Sequence, residues 1–160
     1  MNAPQTSRPH MPGYGVLPED EGTGLLPWSW AQQRLASSRE YWVATVRPGG
    51  TPHLMPVWAV WHDGALWFSS AEGSRKTRNL RSNPSCCVST DSGAEPVVIE
   101  GTVQEVTERA IIERIAVLEN EKYSTGYAAE NPLFMLAPAR AFGTAGDDFT
   151  GSPTRWTFDR

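Results

Sequence analysis

The stretch PHLMPVWAVWHDGALWFSSAEGSRKTRNLRSNP, running from Pro52 to Pro84, decides how this chain is read. Two β-forming apolar runs meet at His62-Asp63-Gly64, and Asp-Gly between such runs is a strong hairpin signal. The second run ends at Ser69-Ser70, and the loop Ala71-Glu72-Gly73 leads into Ser74, a good helix N-cap. The spacing predicts a short helix over Arg75–Arg81, stopped by Asn83-Pro84. Four basic residues and no acidic one lie between Gly73 and Thr90, in a chain whose net charge is −4.

Arg75 and Lys76 fall in the first turn of that helix. Cations there oppose the helix dipole, at a cost of roughly 0.3–1 kcal/mol each when exposed. A bound anion reverses the sign, because free N–H groups, dipole and both cations then face one phosphate or carboxylate. The competing reading is a solvated basic face, and the charges alone leave the two balanced.

Length and composition narrow the classes. One hundred and sixty residues suit one domain, and 7 Trp with 39% hydrophobic residues suit a packed β-rich core. The acidic balance argues against nucleic-acid or membrane-surface binding, and no apolar run has the length of a membrane span. The N-terminus lacks a basic-then-apolar leader, so the expected location is cytoplasmic. Cys86 and Cys87 are adjacent in a predicted strand, so they face opposite ways and suggest neither a disulfide framework nor a zinc site.

Residues 1–26 are rich in Pro, Gly and polar groups and read as a flexible N-terminal arm, with one domain over 27–160. A helix is expected over Trp28–Arg39, capped by Ser29, then a strand over Tyr41–Val46. A long second strand follows over Pro52–His62, where Pro56 marks an edge or a bulge. Further strands are expected over Ser85–Thr90, Pro96–Val106, Leu133–Phe142 and Thr154–Phe158, with a bulge at Gly101. A helix capped by Thr107 carries an apolar stripe of Ile111, Ile115 and Leu118, and 120–131 is a loop containing Tyr123 and Tyr127. Six or seven short strands with two longer helices predict a mainly β protein, an antiparallel barrel with helices outside it.

Motifs for nucleophilic or metal chemistry are missing: there is no G-x-S-x-G and no H-E-x-x-H. Of the three histidines, His10 lies in the arm and His62 at an exposed hairpin turn, which leaves His53. No side chain is singled out as catalytic.

The Ser74-Arg75-Lys76-Thr77-Arg78-Asn79-Leu80 run, after the strand Trp67-Phe68-Ser69-Ser70 and the pattern G-x-P-H-x-M-P-V-W of residues 50–58, resembles the flavin- and deazaflavin-binding split-barrel family, pyridoxamine 5'-phosphate oxidase-like. The resemblance covers Trp28 to Phe158. The closing Ser152-Pro153-Thr154-Arg155-Trp156-Thr157-Phe158 is similar to the actinobacterial branch, many of whose members use coenzyme F-420. It implies an antiparallel split β-barrel of the FMN-binding type with peripheral helices. It also implies a homodimer whose site lies at the two-fold interface, and a small-molecule substrate. By the same resemblance, Met55, Pro56, Val57 and Trp58 lie along the coenzyme ring, with His53 at the start of that strand. Ser69 and Ser74 offer hydroxyls to its phosphate, Arg75 and Lys76 carry the charge, and Asn79 lies one turn beyond Arg75. The implied activity is F-420H2-dependent hydride transfer to an unsaturated or conjugated small molecule. FMN-dependent oxidoreduction and non-enzymatic flavin or haem binding are the alternatives. Such a coenzyme carries the hydride itself, so the protein need only grip and orient it. One departure is that Arg155 is the single basic residue in the closing strand, which argues against a pyridoxamine phosphate substrate. The open face of the site is expected to be lined by Trp58, Trp61 and Trp156.

Overall fold

The computed structural model of the protein describes residues 3–125 and 130–159. In chain order it contains β1 (Gln5–Ser7), α1 (Trp28–Ser37), β2 (Tyr41–Val46), β3 (Pro52–Val57), β4 (Val60–His62) and β5 (Ala65–Ser69). Then follow α2 (Arg75–Ser82), β6 (Ser85–Thr90), β7 (Val97–Val106), α3 (Arg109–Tyr123), β8 (Leu133–Gly143) and β9 (Thr154–Thr157). All strand pairing is antiparallel, in the order β1-β9-β8-β7-β6-β2-β3, with β5 joining β8 and carrying β4 as a branch. The sheet therefore curls without closing, which is the split barrel expected from the strand count.

The hairpin that anchors the reading is present. His62 pairs with Ala65, and the two residues between them have positive φ, 49° at Asp63 and 73° at Gly64. That pair of angles defines a type I′ turn, whose twist matches the strands it joins. Gly101 also does what its position suggested. The β7–β8 register shifts between Glu100 and Gly101, and a Cβ on Gly101 would come within 2.5 Å of the Ala137 carbonyl oxygen.

The core is the inner face of the sheet. Tyr41 and Val43 of β2, Leu66 and Phe68 of β5, Val88, Ile99, Leu136 and Trp156 are fully buried there, closed on one side by Leu35 of α1. Each such aliphatic or Phe side chain contributes roughly 1.5–3 kcal/mol relative to exposure. A second cluster lies under α3, where Ile115 meets Val60, Ala65, Trp67 and Leu133.

Three expectations are corrected. The long strand over 52–62 is broken at Trp58-Ala59. Ala59 gives up its ladder because its N–H donates to the Tyr123 hydroxyl at 2.9 Å and its carbonyl accepts from Lys122 Nζ at 2.9 Å. The two helix caps also move. Pro27 and Glu108 hold the N-cap positions of α1 and α3 without side-chain bonds, while Ser29 lies inside the first turn. Third, α3 runs on to Tyr123, so the loop begins only at Ser124, and Tyr127 lies outside the described residues. Residues 3–26, the segment read as an arm, contact the barrel. β1 adds to the edge of β9, with Thr6 opposite Trp156, which covers an otherwise open strand edge. The Arg8 guanidinium donates to the carbonyls of Pro18, Gly151 and Pro153 at 2.8–2.9 Å, the Asp148 carboxylate accepts from the Thr23 N–H and hydroxyl at 2.7 Å, and Leu26 is buried.

Candidate functional site

The hairpin and α2 together build one wall of a cavity of about 240 Å³. Pro56, Val57 and Trp58 supply the end of edge strand β3 and the break that follows it. Ser69, Ser70 and Ala71 supply the end of β5, and Lys76 the first turn of α2. The rest of the lining is Glu119 and Tyr123 of α3, with Thr125 and Asn131.

The loop that leads into α2 is held by its own hydroxyls. The Ser74 side chain caps α2 by accepting from the Thr77 N–H at 3.2 Å, and it lies 2.8 Å from the Ser70 hydroxyl. Thr77, fully buried, donates into the same knot, lying 2.9 Å from the Ala71 carbonyl and 3.0 Å from the Ser70 hydroxyl. This fixes the loop that leads to Lys76, so the amine is delivered by a rigid turn. Partial burial lowers the Lys76 pKa. His53 lies among cations: partial desolvation and then Arg47, Lys76 and Arg75 lower its pKa, so the imidazole is neutral at pH 7.

The α3 side of the lining is aromatic and acidic. Tyr123 stacks on Trp58, with centroids 4.8 Å apart and planes 11° apart. Burial pushes the Tyr123 phenol up to about 12 and the neighbouring Lys122 amine down to about 8. Lys122 Nζ donates to the Tyr41 hydroxyl at 2.7 Å, so it is spent on structure behind the cavity. Glu119 is buried in the wall, and that burial raises its carboxyl to about 7.

Of the residues expected to touch a coenzyme, Pro56, Val57, Trp58, Ser69 and Lys76 line this cavity together. Arg75 is half-buried in the same first turn. Ser74 serves as the cap, and Met55 is exposed along the edge strand. His53 lies on that strand with Nδ1 3.4 Å from the Thr45 hydroxyl. Asn79 is fully buried. Its Nδ2 donates to Thr45 at 2.9 Å and its Oδ1 has no partner, so it packs inside the barrel behind α2. Of the three tryptophans expected on the open face, only Trp58 is there. Trp156 is fully buried, with Trp28 packed against it at 5.4 Å, and Trp61 packs on the other side of Trp28 at 6.0 Å. Arg81 is drawn away from any ligand by Glu72 and Glu105, which it bridges. Cys86 faces the core and burial pushes its thiol up to about 12, while Cys87 lies on the outer face. No helix among the described residues is long and apolar enough to cross a membrane.

Ser70, Glu119 and Tyr123 are the site residues that motif reading missed. Ser70 continues the quoted strand, but Glu119 and Tyr123 are far from it in sequence. The one signal for them was helical spacing: both follow Ile112 and Ile115 down the same face of α3.

The structure is a split barrel with a capped, cationic helix start and a stacked aromatic pair lining one cavity. The chain belongs to the pyridoxamine 5'-phosphate oxidase family, whose sequence profile matches residues 30–142. No curated protein sequence matches the chain. Among solved structures it is similar to an F420 reductase, at 22% identity and TM-score 0.59, over 69% of this chain and 94% of that one. It is also similar to a FAD-binding protein from Mesorhizobium loti, at 16% identity and TM-score 0.61, over 84% and 96% of the two chains. A heme binding protein from Mycobacterium smegmatis shares 15% identity at TM-score 0.61, over 79% of this chain and 62% of that one. These likenesses concern the fold. The fold is the flavin-binding oxidoreductase type of this family.

Proposed function

We propose that the protein is a cytoplasmic reductase that uses reduced coenzyme F-420 to transfer a hydride to an unsaturated or conjugated small molecule. The observation that carries this reading is the cavity itself, which is lined by a cation at a helix start, two strand-end serines, an apolar edge strand and a pair of stacked aromatic rings. Those residues suit an elongated ligand with an anionic end and a flat ring. Lys76 with Arg75 would hold the anion, Ser69 would donate a hydrogen bond to it, and Pro56–Trp58 would lie along the ring. The coenzyme would supply the hydride. The chain would position it and keep water from the aromatic slot. Two free thiols, Cys86 and Cys87, are compatible with a reducing compartment.

The same proposal includes a homodimer. Trp42, Ala44 and Val46 of β2 pair with Pro56, Leu54 and Pro52 of β3, so all six share one outward face of the sheet. Trp42 is 43% exposed and Leu54 56%, an apolar stripe that ends at the cavity's Pro56. A second copy on this face would cover that stripe and close the open side of the slot.

The absorbance spectrum of the purified protein, then fluorescence titration with F-420 and FMN, tests the reading. Micromolar binding of F-420, with oxidation of its reduced form by a conjugated acceptor, is the expected result. Tight binding of FMN alone would favour the FMN-dependent alternative. A Soret band in the purified protein, or haem binding in place of both coenzymes, would favour the haem-binding one.

A further inference from the structure

Glu119 is the one carboxylate on the cavity wall among the described residues. It is 7% exposed and sits one turn after Ile115 and one turn before Tyr123 on α3. Behind it lies a second hollow of about 10 Å³, lined mainly by Ile112, Ile115, Ala116 and Leu133. One side of the carboxyl is therefore apolar packing and the other is the cavity. No ion pair among the described residues includes it. The charged or titratable groups that share its cavity are Lys76 from α2 and Tyr123 from its own helix, with Lys122 and Arg39 flanking that tyrosine. β5 and β8 face it with Ser69 and Leu133, which carry no charge.

A carboxylate in such a place is poised between two states. Burial favours the neutral acid, and any charge brought into the cavity moves the balance. A phosphate or carboxylate ligand seated on Lys76 would bring a negative charge into the cavity that Glu119 lines, which adds to burial in favouring the neutral acid. We propose that Glu119 takes up a proton when an anionic coenzyme enters this cavity, so that the occupied site holds a carboxylic acid beside the ligand. The proton comes from solvent and ends on a Glu119 carboxylate oxygen, with no change in electron count. The resulting O–H belongs to the wall of the cavity that Trp58 and Tyr123 also line, and can donate a hydrogen bond to a ring heteroatom or a substrate oxygen there. This inference rests on the coenzyme reading above.

The sign follows from linkage. Glu119 has a pKa of about 7 in the free protein, and the bound anion raises it further. Binding is then accompanied by proton uptake just above pH 7. Affinity weakens up to about tenfold per pH unit from there until the bound-state pKa is passed. Two other groups also titrate: Lys76 loses charge as pH rises, and a phosphate monoester such as that of FMN gains charge near pH 6. Both remain in Glu119→Gln, so the difference between the two proteins isolates Glu119.

The test is calorimetric titration of full-length wild type and Glu119→Gln with F-420 and with FMN, between pH 6 and 9, in buffers of differing ionisation enthalpy. The expected result is uptake of a fraction of one proton by wild type near pH 7.5, absent in Glu119→Gln, with the variant keeping the low-pH wild-type affinity at pH 8. Glu119→Leu provides a second, larger change and should also lose the uptake. Equal uptake and parallel pH curves in wild type and variants would overturn the inference and leave the coenzyme reading standing. Failure of both coenzymes to bind wild type at any pH would overturn both.

Discussion

Tyr123 does two jobs against one residue's neighbourhood: its ring stacks on Trp58 at 4.8 Å, and its hydroxyl sits on the backbone of Ala59, the next residue. The hydroxyl accepts from the Ala59 N–H at 2.9 Å and lies 2.8 Å from the Arg39 carbonyl. A side chain at the end of α3 thereby sets where the edge strand β3 stops and how Trp58 faces the cavity. Tyr123→Phe keeps the ring and removes the hydroxyl, which leaves a buried N–H without its acceptor. Such a loss costs about 1–3 kcal/mol. Urea denaturation should show the unfolding free energy falling by that amount, through a lower midpoint with the slope unchanged. A midpoint equal to wild type would mean that Ala59 finds another partner and that the strand break does not depend on Tyr123.

Glu119 also makes stability depend on pH in a direction opposite to the usual carboxylate. Its pKa is raised from 4.5 to about 7, so the folded state holds a proton that the unfolded state has released between those values. Stability from this group is present below pH 4.5 and is lost as pH rises to 7. The full difference is about 3 kcal/mol, taking 1.36 kcal/mol per unit. Glu119→Gln should therefore approach wild type as pH falls below 4.5 and melt at a higher temperature than wild type at pH 8. Thermal melts of apo protein across that range check it, and a variant less stable at pH 8 would show that the carboxylate is paired.

The outward stripe of β2 and β3 predicts the effect of a charge placed within it. Leu54 is exposed in the chain alone, so Leu54→Glu should leave the apo fold within about 0.5 kcal/mol of wild type, as surface changes usually do. In a homodimer the same carboxylate meets its own symmetry mate across an apolar face. Light scattering at micromolar concentration should give a dimer for wild type and a monomer for Leu54→Glu, with coenzyme affinity reduced in the monomer. A wild-type monomer would remove the dimer proposal.

What was legible in the sequence was local chemistry. Asp63-Gly64 announces a turn that needs two positive φ angles, Ser74 a cap, and Gly101 a place where a Cβ would strike the Ala137 backbone. These depend on residues within a few positions or on one backbone approach. The break at Trp58-Ala59 was not legible, because its cause is Tyr123, 64 residues away. Trp61 and Trp156 misled for a related reason: an aromatic residue on a strand reads equally well as ligand surface or core, and only the position of Trp28 decides. Asn79, one turn after Arg75, suggested a ligand contact. Its helix face turns inward to Thr45. Glu119 shows the converse, since an acid continuing the Ile112–Ile115 face of α3 was a departure from pattern that could have been noticed.

Lys76 gives the sharpest separation between a ligand site and decoration. It lines the cavity from the first turn of α2, where the dipole disfavours a cation, and burial lowers its pKa further. Nothing in the free protein rewards its charge: no ion pair among the described residues includes it. Lys76→Ala should therefore leave apo stability unchanged or slightly raised. A charge-assisted bond to a phosphate is worth roughly 1.5–3 kcal/mol, so coenzyme affinity should fall about ten- to a hundredfold. A solvated cation would change neither quantity, and one in a structural pair would lower stability alone. Apo melts beside fluorescence titrations with F-420 and FMN distinguish the three cases. Unchanged affinity for both coenzymes would remove the anion site from α2 and, with it, the main support for a flavin-type reductase.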